Sequence, residues 1–150
     1  MSYTPEEYAA AAARATAEQK ELLIVDGELV LQEPAPRPLA ELRQEAVATL
    51  WANYKRHQQR YVDAEDLTLA TVCAANGSAK GAAVQAWVMT LWANYYQVKD
   101  AIEAAADAET LAAIDLAPDP QDVPPYTIRE LNEEAAAAMA AQQNNQEDTP

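Results

Sequence analysis

TLWANY stands at residues 49–54 and again at 90–95, so the two copies begin 41 positions apart. The correspondence extends beyond the identical letters. Around the first copy, Arg43, Val47, Leu50, Tyr54, His57 and Tyr61 step by 4, 3, 4, 3 and 4. Their equivalents around the second are Val84, Val88, Leu91, Tyr95, Val98 and Ile102, the same alternation in a more apolar form. Such spacing keeps one stripe of a helix turned toward a neighbour. It predicts two long helices, about 39–61 and 82–106, packed seam to seam. Tyr95 has Leu91 and Val98 beside it, whereas Tyr54 has Leu50 and His57. Truncating Tyr95 is therefore expected to cost more.

Working outward, DAEDLTLATVCAAN between the copies reads as a shorter helix capped by Asp63 and ended by Gly77. Its Leu67, Leu69, Ala70, Val72 and Cys73 make it a core candidate. A short continuation is expected through 111–116. Upstream, LLIVDGELVLQEP changes to a strand period, with runs 22–25 and 29–32 flanking Asp26-Gly27, a strong hairpin signal. PAPRP at 34–38 is a stiff spacer. At the start, Thr4, Pro5, Glu6 and Glu7 open an alanine-rich helix with little to bury. At the far end, APDPQDVPP (117–125) interrupts helix, and Thr127 with Glu130 forms a capping box for another. NNQEDTP reads as a polar tail with nothing to hold it. The expected architecture is mainly α: an antiparallel helical bundle with a small N-terminal β-hairpin and peripheral terminal helices. Three parts are expected: 1–38, a central helical unit 39–116, and 117–150.

The 150 residues suit one modest core, and half are hydrophobic, with three Trp, seven Tyr and no Phe. The formal charge of −14 and the pI near 4.2 oppose binding to a phosphate backbone, so no nucleic-acid partner is expected. KRHQQR at 55–60 is the one cationic cluster. A single cysteine, Cys73, allows no internal disulfide. No signal peptide or membrane span is legible. The chain reads as intracellular.

Candidate chemistry is sparse. His57 is the only histidine and Cys73 the only thiol; neither has a catalytic or metal-binding partner at a recognisable spacing. His57 reads as structural or surface, and Cys73 as a buried core thiol. DAEDLT lacks the glycine and terminal glutamate of a calcium loop, and GSAKG is no phosphate loop. No enzyme activity, metal or cofactor is expected. The aromatic residues say more. Met89, Trp92 and Tyr96 form a second line beside the seam, with Trp87 nearby and Trp51 on the earlier helix. A helix buried on two sides would explain them. An aromatic face left for another chain would do so too, because Trp and Tyr are preferred interface anchors. Trp51, Trp87, Met89, Trp92 and Tyr96 are the candidate protein-binding residues.

Three features together resemble the tail-fibre assembly proteins and tail-assembly chaperones of tailed bacteriophages. They are the hairpin with its Pro-rich spacer, the alanine-rich middle helices, and a W-x-x-Y element (Trp92, Tyr95) before the acidic, Pro-rich 117–125 stretch. The W-P pair near that family's C-terminus is absent, and PPY at 124–126 stands there instead. The resemblance implies a non-enzymatic accessory factor that binds a tail or tail-fibre protein, in the host cytoplasm or in the virion. A homo-oligomer fits the same surfaces. An acidic inhibitor that mimics nucleic acid and binds a basic host protein is the alternative, although the 55–60 cluster interrupts any continuous acidic face.

Overall fold

A computed structural model of the chain describes residues 3–147. These hold six helices and one two-stranded hairpin, a mainly α fold. The chain divides after Pro38 into two compact units.

The first unit is helix α1 (Pro5–Glu18) with strands β1 (Glu21–Val25) and β2 (Glu28–Gln32). Thr4 accepts from the Glu7 amide at 3.2 Å, while Glu7 accepts from the Thr4 amide at 2.6 Å. This reciprocal cap satisfies two donors that the helix start would otherwise leave open. Tyr3 and Tyr8 stack across it at 6.1 Å, in the positions of a hydrophobic staple. Val25 pairs with Glu28, leaving Asp26 and Gly27 as a two-residue turn at φ 51° and 83°. Positive φ at both turn positions matches the right-handed twist of the strands. The alanines of α1 let it lie close to the hairpin: α1 packs on both strands and Ala15 is buried.

The second unit contains α2 (Leu39–Tyr61), α3 (Ala64–Ala75), α4 (Ala79–Ala104), α5 (Ala108–Ala112) and α6 (Ile128–Glu147). Helices α2 and α4 are antiparallel. Arg43 meets Ala105, Tyr54 meets Tyr95, Gln58 meets Trp92, and Tyr61 meets Trp87. The seams lie where the repeat placed them, with Leu50, Tyr54, Val84, Val88, Leu91, Tyr95 and Ile102 all buried. Tyr54 and Tyr95, the last residues of the two hexapeptides, cross edge to face at 5.8 Å and are 5% and 6% exposed. Equal burial removes the reason to expect a larger loss at Tyr95. Burial pushes the Tyr54 phenol above its ordinary pKa, with the Asp115 and Asp122 carboxylates adding to it.

Helix α3 packs on α4 by its small-residue edge, close to the start of α4. A Cβ on Gly81 would lie 2.8 Å from the Ala70 carbonyl oxygen and from Cys73 Cβ, and 2.9 Å from the Ala74 amide nitrogen. That contact decides which residues of α3 are inside. Ala70 is fully buried, Leu67, Leu69 and Cys73 are half-buried, and Val72 is exposed. The expectation of a core thiol and a buried Val72 is corrected accordingly. Ser78 caps α4 three residues earlier than the spacing suggested, accepting from the Gly81 amide at 3.0 Å.

Residues 117–147 belong to this same compact unit. The 113–127 segment crosses α2 and α4, where the Leu116 carbonyl accepts from Asn53 Nδ2 at 3.0 Å. Leu131 of α6 is 1% exposed in the core, with Tyr126 and Ile128 packed against it. Thr127 and Glu130 form the expected capping box, and the Thr127 amide holds the Glu130 carboxyl below its ordinary pKa. Helix α6 continues through the asparagines to Glu147, where a loose tail was expected; residues 148–150 of that tail lie outside the described residues.

Candidate functional site

With α3 against one side of α4 and α2 against another, a third face of the α2/α4 pair stays open. On α4 it carries Met89, Trp92, Tyr96, Lys99 and Glu103, which step by 3, 4, 3 and 4. On α2 it carries Gln44, Ala48, Trp51, Lys55 and Gln58, stepping by 4, 3, 4 and 3. Met89 is 69% exposed, Tyr96 58% and Trp51 46%, large values for side chains of this size.

The five candidate residues therefore separate into two groups. Trp51, Met89 and Tyr96 are at the surface. Trp87 is 8% exposed and belongs to the core. Its indole N–H donates to Asp122 Oδ1 at 2.9 Å, and its ring lies 6.1 Å from His57 and 6.2 Å from Tyr61. Trp87 keeps helical spacing with Val84 and Leu91, so it joins the seam rather than the outer line. Trp92 is half-buried: its indole N–H donates to Gln58 Oε1 at 2.6 Å and its ring meets Tyr95 edge to face at 5.2 Å. Trp87 is thus enclosed in the core, and the Trp92 indole N–H is already bonded within the unit.

The repeat explains why Trp51 differs from Trp92. Each is the third residue of its hexapeptide, and moving 41 positions on from Gln58, the partner of Trp92, arrives at Lys99. A lysine offers no acceptor for an indole N–H. Among the described residues the Trp51 N–H has no hydrogen-bond partner, and its ring instead receives Lys55 Nζ at 4.4 Å from the centroid.

Beside Trp51 the open face deepens into a groove of ≈ 550 Å³, lined by Arg43, Gln44, Val47, Ala48, Trp51, Tyr95, Lys99 and Glu103. Its walls are apolar and its rim carries two cations and one carboxylate. Arg43 donates through a terminal nitrogen to the Ala105 carbonyl, while its Nε–H is buried without an acceptor. Tyr96 flanks the groove, its ring 5.1 Å from that of Tyr95. Gln44, Ala48, Lys99 and Glu103 went unrecognised in the sequence, and Arg43, Val47 and Tyr95 read there only as seam residues. Continuing the Met89–Trp92–Tyr96 spacing by one step would have reached Lys99, and by two Glu103.

His57 has a structural partner: its Nε2 lies 2.6 Å from the Asp122 carbonyl oxygen, which only accepts, so this nitrogen carries the proton. Among the described residues no group of three or more His, Cys, Asp or Glu is placed to hold a metal ion, and no helix is long and apolar enough to cross a membrane. No protein-family model, no curated protein and no solved structure matches the chain.

Proposed function

We propose that this chain is a non-enzymatic, protein-binding accessory factor whose open α2/α4 face holds an apolar segment of a partner. The observation that carries the reading is the exposure of Trp51 in the groove wall and of Tyr96 beside it, with Met89 exposed further along the same line of α4, on a unit whose other aromatic rings are packed or hydrogen-bonded within it. Large aromatic side chains left open on a rigid helix pair are the usual anchors of an interface. The resemblance of the sequence to phage tail-fibre assembly and tail-assembly chaperone proteins makes tail and tail-fibre proteins the partner class of this proposal.

The test is the double variant Trp51→Gln, Tyr96→Gln in the full chain. Both side chains are exposed, so the thermal midpoint should move little, as for surface substitutions of about 0.5 kcal/mol or less. Capture of co-expressed tail or tail-fibre proteins should fall by about thirtyfold or more, the loss of a hot spot. A variant that unfolds, or that binds unchanged, refutes the reading. Retention of the chain in finished particles would mark a virion component, and its absence a chaperone.

A further inference from the structure

We infer that the segment received by this groove is acidic as well as apolar: an aromatic or aliphatic anchor with a neighbouring aspartate or glutamate. The inference rests on the protein-binding reading and adds the chemistry of the partner. The whole chain has 24 acidic and 10 basic residues, so its surface is dominated by carboxylates. At this one groove the balance is reversed. Arg43 and Lys99 line it against the single carboxylate Glu103, and Lys55 stands over the adjoining Trp51 ring. Among the described residues, Lys99 and Glu103 form no ion pair. At physiological salt the screening length is about 8 Å, so the groove's own lining, two cations against one carboxylate, counts for more to a bound segment than the carboxylates of other faces.

Arg43 strengthens the case. Its guanidinium is only partly used, with one nitrogen on the Ala105 carbonyl and a buried Nε–H that lacks an acceptor. Buried donors are normally satisfied, and the planar fork of arginine matches a carboxylate. The buried Nε–H itself is closed to a bound segment, so an incoming carboxylate would meet the charge of Arg43 where the side chain lines the groove. The anchor would lie on Val47, Ala48, Trp51 and Tyr95, between the cations. A basic segment would meet Lys55, Lys99 and Arg43 at the groove while being drawn to the acidic remainder of the surface. A second copy of the chain is a poorer occupant, because two molecules of charge −14 repel one another on approach.

The experiment selects a displayed library of short random peptides on the immobilised full chain, with the Trp51→Gln, Tyr96→Gln variant as counter-selection. The expected binders place Asp or Glu beside an aromatic or aliphatic residue, and Lys99→Glu weakens them about fivefold or more. Binders that depend on Trp51 and Tyr96 but show no acidic preference, or a basic one, would overturn this inference and leave the protein-binding reading standing. No enrichment over the double variant would overturn both. Light scattering of the chain alone adds a further outcome: a dimer lost in the double variant would make a second copy the occupant and overturn the acidic segment.

Discussion

Gly81→Ala sets helix propensity against packing, and the two predict opposite signs. Gly81 lies in the first turns of α4, where alanine in place of glycine ordinarily stabilises a helix by about 1 kcal/mol. The new methyl, however, would sit 2.8–2.9 Å from the Ala70 carbonyl oxygen, Cys73 Cβ and the Ala74 amide nitrogen. Two of these are backbone atoms of α3, so no rotamer change relieves the overlap and the helix itself must shift. Forcing an extra methyl into such a contact costs roughly 1–3 kcal/mol, and more where backbone must move. The expected net effect is a loss of about 1–2 kcal/mol, seen as a fall of several degrees in the thermal midpoint. Urea titration followed by circular dichroism measures it. Gly77→Ala is the control: there φ is 89° with nothing within 4 Å, so any loss comes from backbone strain alone. A Gly81→Ala protein as stable as the parent, or more so, would refute the close approach of α3 and α4.

Two further outcomes follow from named contacts. Tyr54→Ala and Tyr95→Ala should each cost about 3–4 kcal/mol, and the double variant should cost less than their sum by about 1 kcal/mol, since each ring is the other's edge-to-face partner; additive or clearly unequal losses in denaturant titration would contradict the crossing. Asp122→Ala strands the buried Trp87 indole N–H and should cost about 1–3 kcal/mol, whereas Asp122→Asn keeps an acceptor and should recover most of it; equal losses would mean that the 113–127 segment is held by other contacts.

Much of this fold is legible because local chemistry and long-range pattern agree. The caps at Thr4, Asp63 and Thr127, the Asp26-Gly27 turn and the repeated seam are each short-range signals, and each has its structural counterpart. The misreadings involve partners distant in sequence. Val72 looked as apolar as Ala70, but the side of α3 that is buried is set by Gly81 on another helix. The Pro-rich 117–125 stretch reads as a break because its residues end helices. Its attachment depends on Asp122 finding Trp87 and His57, 35 and 65 positions away. Trp87 was grouped with the outer aromatic line because its neighbour Val88 already filled a seam position. An inner helix buried over a wide arc accommodates both. Of the candidate site, the exposed large apolar side chains Trp51, Met89 and Tyr96 were legible. Its cations were not, because a lysine at helical spacing looks the same on any solvated face.

The duplication itself offers the sharpest handle on the site. Antiparallel packing of two copies places equivalent residues about a common centre, here the Tyr54–Tyr95 contact. A contact made by one copy should therefore recur with its equivalents, unless a residue has changed. Trp92 on Gln58 is such a contact, and Trp51 beside Lys99 is its broken counterpart. Lys99→Gln restores the missing acceptor. The Trp51 indole N–H is then expected to bond to the introduced amide oxygen, slowing its hydrogen exchange by NMR and raising stability by about 0.5–1.5 kcal/mol, the worth of one such bond. Drawing Trp51 toward α4 also narrows the groove and removes a rim cation, so partner binding should weaken while the fold grows more stable. Opposite changes in stability and binding from one substitution would mean that the groove exists because the second repeat departed from the first. Unchanged exchange at Trp51 would show that something other than the missing acceptor keeps the ring in solvent, and the symmetry argument would fail.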